Sequence, residues 1–166
     1  MAKILFIHPY AESSFGRQSI PLALTYSVLK DQGHHCEIFD ATFLDNAILL
    51  ESRPNHDEEL VKNKFFKEWN NETFINYKKH GNIFLLLQKQ IDEFKPDLIT
   101  FSFWGSHLHA EGEYYSYHNG IQLINNVRIN KDCKVVVGGT IPSSDPNKVL
   151  EQNPKIDYVL KGEPEL

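Results

Sequence analysis

The chain has 166 residues, of which 41% are hydrophobic and 23% charged, with a formal net charge of −5. That length suits one domain with a core of its own, and an acidic balance with no basic stripe argues against a nucleic-acid partner. Two widely spaced cysteines, Cys36 and Cys133, cannot ligate an iron–sulfur cluster alone and show no zinc-site spacing; with no signal peptide and no membrane-length apolar run, the chain reads as cytoplasmic and without a membrane partner.

Lys3-Ile4-Leu5-Phe6-Ile7 is an apolar run closed by His8-Pro9, as expected of a first strand buried on both faces. A loop through Pro9, Ser13, Ser14 and Gly16 leads to a helix that Ser19 can cap, with Pro21 in its first turn and Gly33 as its stop. Ala23, Leu24 and Val28 form its apolar stripe. His35-Cys36-Glu37-Ile38-Phe39 reads as the second strand, closed by Asp40.

Residues 41 to 81 exceed a minimal βαβ connection and read as a helical insertion, with Val61, Phe65 and Trp69 at four-residue spacing. Residues 82 to 95 form a clearer helix, with Ile83, Leu86, Leu87, Ile91 and Phe94 on one face and Pro96-Asp97 as its break. Leu98 to Ser102 is the third strand, residues 103 to 113 a loop, and Ile121, Leu123, Ile124 and Val127 mark the next helix. Cys133 to Val137 is the fourth strand, Val149 and Leu150 lie in a short helix, and Ile156 to Leu160 is the fifth strand. Strands alternating with helices predict an α/β, flavodoxin-like (Rossmann-like) three-layer fold: a five-stranded parallel sheet in the order 2-1-3-4-5.

In that topology ligands bind outside the carboxyl ends of the strands. The loops expected on that rim are His8 to Gly16, Ser102 to His109, Gly138 to Pro142 and Gly162 to Glu165. Paired glycines at 138 and 139 permit close backbone approach or positive φ, although a tight turn alone would also use them. A phosphoryl receiver is rejected, because His8-Pro9 and Ser102 stand where acidic residues are needed. Ser13-Ser14-Phe15-Gly16 is a weak phosphate loop for a flavin mononucleotide, and the G-x-G-x-x-G of a dinucleotide site is absent.

The segments Lys3–Pro9, Ser19–Leu24, Gly33–Ala41, Pro96–Ser102, Val137–Pro142 and Ile156–Glu165, in this order, resemble the N-terminal cobalamin (vitamin B12)-binding domain of cobalamin-dependent radical S-adenosylmethionine proteins. The resemblance spans most of the chain except residues 42 to 80. It implies a cobalamin partner and a following radical barrel domain, in which the iron–sulfur cluster and S-adenosylmethionine would be held. The Gly162-Glu163-Pro164-Glu165 segment resembles the junction with that barrel, so the chain is expected to be a truncated, non-catalytic part of a methyltransferase-like enzyme. The implied cofactor-binding set is Pro9, Tyr10, Ser14, Gly16, Pro21, Ser102, Gly105, Ser106, Gly138, Gly139, Thr140, Pro142, Gly162 and Glu163. Within it Ser102, Ser106, Gly138 and Gly139 would give the nucleotide tail a groove of small residues, and Pro9, Tyr10 and the chain near Pro21 would face the macrocycle.

Two departures bear on that picture. The Asp-x-His-x-x-Gly motif of classical cobalamin domains is absent, so the tail base is expected off the metal with no histidine in its place. Ala23 stands where the family often has glycine.

Other constellations have plainer readings. His107, His109, Glu111, Glu113 and His118 could bind zinc or another divalent metal, but suit a polar surface loop better. Phe103, Trp104, Tyr114, Tyr115 and Tyr117 suit packing more than a macrocycle wall. In the insertion, Phe43, Leu44, Phe65, Phe66, Trp69, Phe74 and Tyr77 suit a cover over a sheet edge, or a surface that docks the barrel. The alternatives to a cobalamin module are a stand-alone flavodoxin-like nucleotide- or flavin-binding protein and a cofactor-free interaction domain.

Overall fold

The computed structural model describes residues 1–9, 20–41, 82–103 and 115–162. Their elements are β1 (Lys3–His8), α1 (Ile20–Asp31), β2 (His35–Asp40), α2 (Ile83–Phe94), β3 (Leu98–Phe103), α3 (Tyr115–Asn125), β4 (Lys134–Gly139), α4 (Thr140–Ser144), α5 (Pro146–Gln152) and β5 (Tyr158–Val159). The strands form one five-stranded sheet in the order β2-β1-β3-β4-β5, with every neighbouring pair parallel. This is the α/β, flavodoxin-like architecture expected from the alternating pattern. The expected insertion over residues 41 to 81, apart from Ala41, lies outside the described residues.

The sheet is buried on both faces because its central strands are apolar at consecutive positions. Ile4, Leu5, Phe6 and Ile7 of β1 and Val135, Val136 and Val137 of β4 are all buried. Leu5, Ile7, Ile99, Phe101, Val135 and Val137 pack with Ile83, Leu87 and Ile91 of α2 and with Leu123 and Ile124 of α3. Right-handed crossovers put α2, α3 and α5 on this face and α1 on the other.

The buried side of α1 differs from the expected one. Leu24 and Val28 are 55% and 49% exposed, and Ala23 is exposed too. Leu22, Thr25, Tyr26 and Leu29, at i, i+3, i+4 and i+7, are the half-buried stripe instead. Tyr26 sets this rotation: its ring lies 5.8 Å from that of Phe6, and its hydroxyl donates to the Cys36 carbonyl at 3.2 Å. Gly33, with φ of +87°, ends the helix as expected; its N–H donates to Lys30 O at 3.0 Å while the His34 N–H reaches back to Leu29 O at 3.1 Å.

Other ends are also fixed by specific bonds. The Asn82 side chain caps α2 by accepting from the N–H groups of Phe84 and Leu85 at 3.0 and 3.3 Å. Asp145 caps α5 by accepting from the Lys148 N–H. After α3, the Lys155 ammonium donates to three carbonyls, Ile124 O, Asn125 O and Val127 O, at 3.0, 3.0 and 2.9 Å.

The fourth and fifth strands differ most from the sequence pattern. β4 runs on through Gly138 and Gly139, because β3 supplies partners for both. β5 shrinks to Tyr158–Val159. Among the described residues, no helix is long and apolar enough to cross a membrane.

Candidate functional site

Parallel strands bring their carboxyl ends to one rim. There β3 and β4 lie in register, Ser102 beside Gly138 and Phe103 beside Gly139. Gly139 has φ of +107°, a conformation open to glycine and strained for other residues. A Cβ built on Gly138 would stand 3.7 Å from Leu160 Cβ and 3.9 Å from Leu160 O, which is ordinary contact. The absent side chains of Gly138 and Gly139 thus leave the end of β4 low beside β3.

The chain turns directly into α4 after Gly139. Gly138 and Gly139 are therefore strand residues, and Thr140 and Pro142 are helical, where the sequence suggested one loop. The reason is the ladder: β3 continues far enough to pair both glycines. Pro9 and Pro142 are buried, so they shape the rim from within the fold. Gly162 has φ of +87° with open space around it, and its N–H donates to Ser143 Oγ at 3.1 Å, which ties the chain after β5 to α4. Pro21 lies in the first turn of α1. Tyr10, Ser14, Gly16, Gly105, Ser106 and Glu163 lie outside the described residues, as do His107, His109, Glu111, Glu113, Trp104 and Tyr114.

Sequence reasoning missed a polar pair on the same rim. His8 and Asp40 end β1 and β2 and are register partners. His8 Nδ1 lies 3.4 Å from Asp40 Oδ1, with the imidazole 22% and the carboxylate 49% exposed. The signal was present: both residues close apolar strands that a 2-1-3-4-5 sheet makes neighbours. Ser143 was missed as well, and no sequence signal marked it.

Tyr117 packs against the core, and its hydroxyl accepts from Asn153 Nδ2 at 3.1 Å, which makes it a packing residue. Among the described residues no three His, Cys, Asp or Glu side chains gather as a metal site would require.

The cysteines are free and lie away from this rim. Cys36 is the second residue of β2, and burial raises its pKa against an opposing pull from Lys30. Cys133 precedes β4 at the opposite edge of the sheet; burial first, then Asp97 and Asp157, push its thiol up to about 11. A groove of about 640 Å³ lies at that opposite edge, lined by Ile91, Pro96, Asp97, Arg128, Asp132 and Cys133 among others. Its charges are mixed, and it holds none of the predicted site residues. The rim is the stronger candidate because parallel α/β sheets place their ligands at the strands' carboxyl ends.

No protein-family model and no curated protein matches this chain. Solved structures similar to it include the following two. One is a radical S-adenosylmethionine methyltransferase, TsrM, from Kitasatospora setae, with tryptophan substrate and the S-adenosylmethionine analogue aza-SAM bound. It shares 18% identity over 98% of this chain, with a TM-score of 0.62. The other is an azoreductase from Bacillus anthracis strain Sterne, at 12% identity over 99% of this chain and 89% of that one, with a TM-score of 0.42. This chain spans 23% of the length of the methyltransferase. The likeness at this identity is one of fold.

Proposed function

We propose that this chain is a cobalamin-binding module of a methyltransferase-like radical S-adenosylmethionine enzyme, and that it does not turn over substrate by itself. The observation that carries the reading is the low rim where Ser102 meets Gly138 and Phe103 meets Gly139, with Gly139 at positive φ. A broad macrocycle with a nucleotide tail needs room at the strand ends, and the two adjacent glycines that end β4 supply no side chain there. The resemblance of six ordered segments to cobalamin domains, and the fold likeness to a radical S-adenosylmethionine methyltransferase, support the same assignment.

In this reading the ends of β3 and β4 hold and orient the cofactor, and α4, tied to Gly162 through Ser143, closes one side. Bound cobalamin would supply a cobalt centre able to carry a methyl group. The partner would be a radical barrel domain that holds the iron–sulfur cluster and S-adenosylmethionine.

The test is a hydroxocobalamin titration of wild type and Gly138→Val, with melting curves of both. The proposal expects binding by wild type and a large loss in a Gly138→Val protein that remains folded. Equal binding by both would remove the rim from the account.

A further inference from the structure

We infer that the groove at the amino-terminal edge of the sheet is a second ligand site, one that takes a small monocarboxylate with an apolar body. The inference goes beyond the cobalamin reading and stands apart from it, because the groove lies at the edge opposite the rim.

Three observations carry it. The first is a cleft with fixed walls. Its volume of about 640 Å³ suits a small molecule. One wall is the end of α2 and the approach to β3, with Asp92, Lys95 and Asp97; the other is the connection from α3 to β4, with Arg128, Asn130 and Asp132. Gln88 fastens the two together. Its Oε1 accepts the Arg128 N–H at 2.6 Å, and its Nε2 donates to Arg128 O at 3.2 Å and to Asp92 Oδ1 at 2.9 Å. Asn130 stiffens the second wall: its Oδ1 accepts the Asp132 N–H at 3.2 Å and its carbonyl the Cys133 N–H at 2.9 Å. A ligand would meet a shape already made, so little ordering cost opposes binding.

The second is the division of the lining. Ile91, Pro96 and Cys133 are buried and Ile129 is half-buried, which gives an apolar floor. Lys95 and Arg128 are exposed, so their charged ends stand at the mouth.

The third is which charges are spoken for. Asp92 accepts from Gln88, and Asp97 Oδ2 accepts the Lys3 N–H at 2.8 Å. Among the described residues, the Lys95 ammonium and the Arg128 guanidinium have neither a hydrogen bond nor an ion pair. Both residues are anchored through their backbones instead, Arg128 by Gln88 and Lys95 by its N–H, which donates to Ile91 O at 2.8 Å.

The ligand chemistry follows. The planar guanidinium fork matches a carboxylate, and the ammonium adds a point charge beside it. An apolar body can then cover the floor. The acids in the walls oppose a second negative charge, so one carboxylate is favoured over a phosphate.

The experiment titrates the nitrogen-15-labelled protein with phenylacetate and follows the backbone amide shifts. Neutral phenylacetamide and inorganic phosphate serve as comparisons, and wild type is measured beside Arg128→Gln and Lys95→Asn. Asparagine tolerates the left-handed backbone of Lys95, at φ of 52°. Phenylacetate should give saturable shifts in the millimolar range, centred on Lys95, Arg128, Asn130 and Cys133. Loss of a charge-assisted bond should weaken binding about tenfold in Arg128→Gln, and by less in Lys95→Asn. Phenylacetamide should bind about tenfold more weakly than phenylacetate, and phosphate should leave the groove unshifted.

Absence of saturable shifts with phenylacetate up to about 20 mM overturns the inference. So does equal binding of the amide, undiminished affinity in Arg128→Gln, or shifts centred on Gly138 and Gly139 at the rim. Should Arg128→Gln fail to fold, undiminished affinity in Lys95→Asn overturns it instead. Each of these outcomes leaves the cobalamin reading in place, since hydroxocobalamin retention is read separately at the rim.

Discussion

Asp157 grips Val135 at two points: its carboxylate accepts the Val135 N–H at 2.8 Å, and its own N–H donates to the Val135 carbonyl at 2.9 Å. Asp97 holds Lys3 in the same way, with both contacts at 2.8 Å. Each aspartate stands just before its strand, and each sets the register of a neighbour. The first contact aligns the short β5 with β4, and so brings Leu160 beside Gly138 at the rim. Asp157→Ala should lower stability by about 1–2 kcal/mol, because the buried Val135 loses its N–H partner. A drop in the urea midpoint at unchanged slope checks this; an unmoved midpoint would mean that water replaces the carboxylate.

The same carboxylate gives an acid-dependent term. Burial alone would raise its pKa, but the Val135 N–H and the Lys134 ammonium, 3.0 Å away, outweigh it and hold the value below the usual 3.8. A pKa depressed in the folded state stabilises fully above the unfolded value and loses that contribution as pH falls through the folded one. The stability gap between wild type and Asp157→Asn should therefore be widest near neutrality and narrow below pH 3.8. A gap of constant size down to pH ~2 would exclude the charge as its source.

Lys155 closes the end of α3 by donating to three carbonyls. Lys155→Met keeps much of the aliphatic stem and removes the donors. It should cost about 1–3 kcal/mol, since part-buried acceptors lose a charged partner. Chemical denaturation measures it, and a loss below ~0.5 kcal/mol would put this cap among ordinary surface contacts.

Gly138 and Gly139 separate packing from conformation. Gly138→Ala adds a Cβ at ordinary contact distance from Leu160 and should melt like wild type. Gly139→Ala forces a side chain into φ of +107° and should destabilise by about 1–3 kcal/mol. Thermal melts of both variants test the pair; equal melting temperatures would contradict the role given to Gly139.

The thiols should be poor nucleophiles. With Cys133 buried and its pKa near 11, the thiolate is scarce at neutral pH. Iodoacetamide at pH ~7.5 should modify Cys133 only after denaturation. Rapid labelling of the native protein would show that the start of β4 opens readily.

The apolar runs of β1, β3 and β4 were legible because a strand buried on both faces needs consecutive apolar residues, and no other element of that length does. The α2 stripe was legible because Ile83, Leu87 and Ile91 repeat at four-residue spacing and are all buried. The α1 stripe was misread because its apolar residues occupy more than one side, and the choice was made by tertiary contacts of Tyr26 with Phe6 and Cys36. The end of β4 was placed too early, because glycine reads as a break while the partner strand keeps it in the ladder. The His8–Asp40 pair was hidden for another reason: the two residues were read as separate strand ends, and only the parallel register joins them.

The most direct test mixes the pure protein with hydroxocobalamin, removes the excess by desalting and records the visible spectrum. The account predicts near-stoichiometric retention with a spectrum in which neither the tail base nor a histidine sits on cobalt. A colourless protein after desalting, with the fold intact by circular dichroism, would contradict it.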